Sequence, residues 1–139
     1  MTTTMPTREL DRLSRSGLTA ADLENLDDDL SGRTVYDRLR EEIGTVEDVL
    51  VDTVQLHAPF ALVSWGGLLG LGKHQRLIPL EAIDLITPEG VYLNCDKELV
   101  TSGPAYQRNL DGEDAEAHYG QVYDAYGIRP YWQTEQPTA

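Results

Sequence analysis

"WGGLLGLGKHQ", Trp65 to Gln75, is the stretch on which the reading of this chain turns. Gly67, Gly72 and Lys73 spell G-x-x-x-x-G-K, all but the last letter of a phosphate-binding loop. Such a loop needs a strand before it, a Ser or Thr after the lysine to hold magnesium, and a helix whose N-terminal amides face the phosphates. The strand is present in Phe60 to Trp65, FALVSW. His74 stands where the hydroxyl should be. The helix fails too, because Gln75-Arg76-Leu77-Ile78 runs into Pro79, and proline inside a helix costs about 3 kcal/mol. The alternating strand–helix pattern of the parallel sheets that carry these loops is missing as well. The stretch therefore reads as a connection between two strands. Its glycines permit positive φ, and Leu68, Leu69 and Leu71 offer apolar cover for an open barrel end. No nucleotide is expected between Gly67 and Lys73.

The flanks read the same way. From Leu30 onward, short β-rich segments alternate with turns: Arg33–Tyr36, Ile43–Asp52, Phe60–Trp65, Arg76–Pro79, and Glu81–Ile86 leading through the turn signal Pro88-Glu89-Gly90 into Val91–Cys95. Regular short strands at this spacing predict a small all-β barrel or sandwich. Asp37 to Glu41 is charged and turn-like. Asp96 is placed to cap a short helix, KELVTS, that Gly103-Pro104 stops. Before Leu30 lie a polar tail, a weakly amphipathic turn over residues 7–15, and a capping-box start at Thr19 for a short helix over 20–26. Asp27-Asp28-Asp29 reads as a solvated acidic turn. The chain thus divides into a tail with helical segments (1–29), a β-barrel (30–106), and an acidic linker with an aromatic C-terminal segment (107–139).

The totals narrow the function. Lys and Arg number 11 against 24 Asp and Glu, a formal net charge of -13. That field repels nucleic acid, whose affinity for proteins rests on cations that displace phosphate counterions. It opposes anionic lipid in the same way, and leaves room for a basic protein partner. The lone cysteine, Cys95, can form no internal disulfide, which fits a reducing cytosol. MTTTMPTRELDRL has no signal-peptide core, and the most apolar window, residues 60–72, is short of the ~20 residues that span a bilayer. A cytoplasmic protein with no membrane insertion is expected.

Five segments in order resemble the PRC-barrel family: Ile43-Gly44-Thr45-Val46 with Val51-Asp52, the loop Gly67 to Gly72, Ile78-Pro79, Val91-Tyr92, and Gly103-Pro104-Ala105-Tyr106. The closing YGIRPYW is similar to the tail of stand-alone bacterial members. The resemblance runs from about Leu30 to Trp132. It implies a small, mostly antiparallel barrel of the kind found in the cytoplasmic part of the photosynthetic reaction-centre H subunit and in a ribosome-maturation factor. Where family members often have an Asp-Gly turn in the first hairpin, this chain has DRLREE at 37–42, which implies a longer hairpin. Leu80 replaces the aromatic residue that often follows the barrel proline. The resemblance implies a module that docks on proteins, and it brings no catalytic residues.

The residues themselves offer little chemistry. His57, His74 and His118 are scattered, without zinc-ligand spacing. Cys95 reads as a small buried hydrophobe. No cofactor, metal or catalytic residue is assigned. The expected function is a non-enzymatic protein-interaction module that takes a protein partner, itself, or both. The alternative is an adaptor in ribosome maturation or RNA processing that acts through a ribosomal protein. Lys73, His74 and Gln75 form the polar tip of the glycine connection and are partner-binding candidates. So are Tyr119, Tyr123, Tyr126, Tyr131 and Trp132. The first three sit at helical spacing and present one aromatic face, which packs on the barrel, on a partner, or on a second copy in a homodimer.

Overall fold

A computed structural model describes residues 10–12, 29–52, 57–67, 72–108, 110 and 112–134. Seven strands form one mixed sheet: β1 (Leu10–Arg12), β2 (Thr34–Tyr36), β3 (Glu42–Asp52), β4 (His57–Trp65), β5 (His74–Pro79), β6 (Ile83–Thr87) and β7 (Gly90–Leu93). A single 3-10 turn, Leu80–Ala82, joins β5 to β6. Three helices follow: α1 (Lys97–Thr101), α2 (Gly112–Ala125) and α3 (Tyr131–Thr134). The strand order is β5-β4-β3-β2-β7-β6, and β1 lies beside the far end of β3. All pairs are antiparallel except β2 with β7.

Two expectations are corrected here. The sheet is mixed, and among the described residues it is not closed into a barrel. The outer side of β5, where a closing strand would lie, meets the segment that follows α1: Tyr106 N–H donates to the Gln75 carbonyl at 3.0 Å, and Arg76 reaches the Thr101 carbonyl. Second, Leu10–Arg12 is a strand paired with Leu50–Asp52, so part of the expected tail belongs to the sheet and is not a helical turn. The expected helix over 20–26 lies outside the described residues, as do Asp27 and Asp28; Asp29 is exposed.

Strand β4 explains why the sheet reads as a run of apolar residues. Successive side chains of a strand point to opposite faces. Ala61 and Val63 join Val35, Val49, Val51, Ile78 and Val91 in one core. Phe60 and Leu62 join Leu50 and Leu77 in a second core on the other face. The register agrees, since Leu50 faces Phe60, Leu62 faces Leu77, and Ala61 faces Ile78. A sheet buried on both faces needs near-continuous hydrophobicity, which FALV supplies.

The second core needs a cover, and α2 with α3 provides it. Ala115, His118, Tyr119, Val122 and Tyr123 are the buried residues of α2, a stripe at helical spacing. Phe60 meets Tyr123 at 4.8 Å and Tyr119 at 5.6 Å between ring centroids, and Tyr123 meets Trp132 edge-on at 5.9 Å. The Tyr131 hydroxyl donates to Asp52 Oδ2 at 2.6 Å and ties α3 to the end of β3.

The first hairpin is longer than two residues, as expected. Its turn is organised by Asp37, which is buried within a stretch that reads as charged and turn-like. One Asp37 oxygen accepts the N–H groups of Leu39 and Glu41, and the other accepts Lys97 N–H at the start of α1. The expected cap of α1, Asp96, makes no side-chain cap and instead pairs with Arg38. Burial alone would raise the Asp37 pKa, but the three backbone donors outweigh it and hold it below the ordinary carboxylate range.

Gly44 is needed for a different reason. A Cβ there would sit 2.3 Å from the backbone carbonyl oxygen of Ser64. Gly44→Ala is therefore expected to force β3 and β4 apart and to lower stability by about 1–3 kcal/mol in urea unfolding, with an unchanged m-value. Asp37→Asn keeps the size but weakens three hydrogen bonds to a charged acceptor. It is expected to lower the thermal midpoint at pH 7, and the loss should shrink as pH falls through the low Asp37 pKa, where the wild type protonates too.

Candidate functional site

Strand β5 starts at His74, directly after Lys73, where a phosphate loop would need a helix. Gly66, Gly67 and Gly72 have φ of 74°, 82° and 71°, so the connection uses the conformations only glycine adopts freely. Leu68, Leu69 and Leu71, the expected lid, lie outside the described residues.

The end of the β4–β5 hairpin gathers six side chains. Trp65 faces His74 in register, and the two rings stack at 5.3 Å with 17° between planes. Arg76 is two residues on, on the same face, with its guanidinium 5.2 Å from the Trp65 ring centroid. Trp65 is therefore flanked by an imidazole and a guanidinium, an arrangement that favours cation–π attraction. Arg76 also donates to the Gln75 and Thr101 carbonyls, while its buried Nε has no hydrogen-bond partner. On the other face, Gln75 Nε2 donates to both oxygens of Glu47, at 3.0 and 3.1 Å. Lys73 Nζ lies 2.8 Å from Glu47 Oε1. Lys73 and His74 are exposed and Gln75 half-buried. The Lys73–Glu47 pair is worth no more than about 1 kcal/mol at this exposure, so it orients more than it stabilises.

Thus Lys73, His74 and Gln75 come together as the sequence suggested, and Glu47, Trp65 and Arg76 join them. The i, i+2 spacing of His74 and Arg76 signals their shared face. Glu47 is not readable, because it falls at a register shift of β3 between Val46 and Asp48.

The aromatic candidates are placed elsewhere. Tyr119, Tyr123, Tyr131 and Trp132 are buried in the second core, against strands of the same chain, and Tyr126 is half-buried where the two cores meet. The aromatic face therefore packs in cis. Burial pushes the phenols of Tyr123 and Tyr126 above their usual range, so both stay neutral.

The remaining titratable groups do not converge. His57, exposed at the start of β4, faces Asp52 across the ladder and lies against the Tyr131 ring. His118 is buried in α2. Its Nε2 accepts Gln107 N–H at 3.2 Å, and its Nδ1 is without a hydrogen-bond partner. Cys95 is half-buried. Burial first, then the carboxylates of Asp96 and Asp37, push its thiol up, which leaves it a protonated and weak nucleophile at neutral pH. No group of three metal-ligating side chains occurs among the described residues. No helix among them is long and apolar enough to cross a membrane.

A family model for the PRC-barrel domain matches residues 23–98, more than half of the chain. No curated protein matches it.

Two outcomes follow from this geometry. ATP or GTP with magnesium is expected to leave the melting temperature unchanged. Burial lowers the His118 pKa, so the folded state favours the neutral ring. The stability linked to it is complete above the unfolded value of about 6.5 and drains away as pH falls toward the lower folded value. His118→Leu is expected to flatten the pH dependence of urea stability in that window, read against wild type.

Proposed function

The chain belongs to the PRC-barrel domain family, and from that premise we propose that it is a non-enzymatic, cytoplasmic protein-interaction module that offers the end of its β4–β5 hairpin to a partner. The observation that supports this reading is the held-out group at that end. His74 is exposed yet stacked on Trp65, and Gln75 and Lys73 are both oriented by Glu47. Side chains fixed before binding lose less entropy when a partner closes on them. A ring on a tryptophan with a flanking arginine also has the composition of interface hot spots. The tail aromatics, which are rich in the same residue types, serve the core instead and contribute to the module by holding the sheet.

Self-association is part of the proposal, as a second use of the same module. The charge of -13 on each copy weighs against it at low salt and less so as salt screens the field.

Pull-down and light scattering with the purified chain test the reading. A captured protein partner, or a defined oligomer, is expected. His74→Ala removes the exposed ring and is expected to weaken the captured complex about tenfold, with the melting temperature nearly unchanged. A strict monomer that captures no protein would sink the proposal.

A further inference from the structure

Strand β6 is an edge, and a row of the core runs out at it. Across the sheet, Gly44 on β3 faces Val35 on β2, Val35 faces Val91 on β7, and Val91 faces Ile86 on β6. Val35 and Val91 are fully buried, whereas Ile86 is 38% exposed. On the opposite face, Tyr36 stacks on Tyr92 at 5.1 Å, and Tyr92 faces Leu85, which is 49% exposed. Among the described residues, both rows end on a large apolar side chain of β6. The backbone is open too. Pro88 and Glu89 form a two-residue turn, so Thr87 and Gly90 are the closing pair. The alternation of an antiparallel ladder then turns the N–H and C=O of Ile86 away from β7. Unpaired strand edges of this kind accept an added strand.

We propose that the outer edge of β6 receives an extended segment of another protein, rich in basic and branched apolar residues, as an additional strand. The inference rests on the protein-interaction reading above and names a second contact for it. The occupant follows from charge. Asp84 on β6, Glu81 before it and Glu89 in its hairpin turn are carboxylates around the open edge, and Asp84 and Glu89 lie exposed. A second copy would bring the same carboxylates and another -13 to the contact; symmetric pairing centred on Leu85 sets Glu81 against Glu89 of the other copy. An incoming strand with Lys or Arg satisfies the carboxylates, while its apolar residues continue the rows that stop at Leu85 and Ile86. The main chain supplies affinity through the Ile86 N–H and C=O, and the two rows supply selectivity.

The test uses the whole chain and a capped synthetic peptide in which lysine, valine and threonine alternate as in a strand, together with the same peptide carrying glutamate for lysine. Binding is read by fluorescence anisotropy at low and physiological salt. The basic peptide is expected to bind and the acidic one not. Ile86→Pro leaves the charge unchanged and removes both the outward N–H and the apolar side chain that ends one row, at an edge position that tolerates proline. It is expected to weaken the basic peptide about tenfold. Amide exchange at Ile86 in the wild-type chain is expected to slow when the peptide is added, and this readout needs no variant to fold. Unchanged binding by a folded Ile86→Pro, or no slowing at Ile86, overturns the proposal and reduces the peptide's affinity to charge alone. A wild-type dimer that Ile86→Pro dissociates overturns it in favour of a second copy. A protein partner whose capture ignores Ile86→Pro but is lost with His74→Ala overturns the edge contact and leaves the module reading standing.

Discussion

Phe60 and Leu62 leave β4 on one side and Ala61 and Val63 on the other, and both pairs are buried. That double burial governs the rest of the molecule. A single open sheet has two faces, and each apolar face must be taken out of water by something. One face carries the first core, with Leu30, Val100 and the Leu80–Ala82 turn packed into it. The other meets no second sheet among the described residues, and helices cover it. This is why α2 and α3 carry their aromatics inward. Fully burying a Phe contributes roughly 1.5–3 kcal/mol, and Phe60 reaches that state only because Tyr119 and Tyr123 lie over it.

Long-range polar contacts hold this arrangement in register. Asp37 joins the first hairpin to the start of α1, sixty residues away. Tyr131 on Asp52 fixes the last helix to the end of β3, and His118 receives the Gln107 amide, which brings α2 to the segment that lies along β5. Each latch is a buried group with a specific partner, and a buried group that lost its partner would carry its desolvation cost unrelieved. The latches therefore select one placement of the peripheral segments more than they add to total stability. They also respond alike to acid, since Asp37 holds its contacts as a carboxylate and His118 accepts only as a neutral ring.

Much of the sheet was legible because apolar periodicity is a local property. FALVSW, the glycine connection and the Val91 hairpin arm all fall where the sequence placed them, and Pro79 correctly excluded a helix after Lys73. What depended on distant partners was hidden. Nothing in Leu10-Asp11-Arg12 announces a strand, because its pairing is with Leu50–Asp52. The parallel contact of β2 with β7 follows from the path of the chain through the Leu80–Ala82 turn, which no local pattern encodes. Asp37 looked like one more surface acid in DRLREE until Lys97 was brought beside it. The tyrosines were read at the correct helical spacing, yet spacing alone is silent on whether a face meets its own sheet or another molecule. Of the candidate site, Lys73, His74 and Gln75 were visible as a polar tip. Glu47, which orients two of them, was hidden by the register shift.

The charge of the chain becomes sharper once its cations are located. Arg38 is paired with Asp96, Lys73 with Glu47, Arg33 reaches the Thr87 carbonyl, Arg76 lies on Trp65 and two carbonyls, and Arg40 lies over Tyr92. These five of the eleven Lys and Arg residues are engaged in local contacts within the fold. Two of the five are matched by a carboxylate and three by neutral groups, so these contacts leave the net charge of -13 as it stands. A net charge of -13 acts at long range, on encounter more than on fit. Selectivity has to come from short-range features that break the uniform field. The structure has two of these, the tryptophan flanked by histidine and arginine, and the apolar rows that stop at the β6 edge. They lie at opposite ends of the strand order, on strands that no ladder joins.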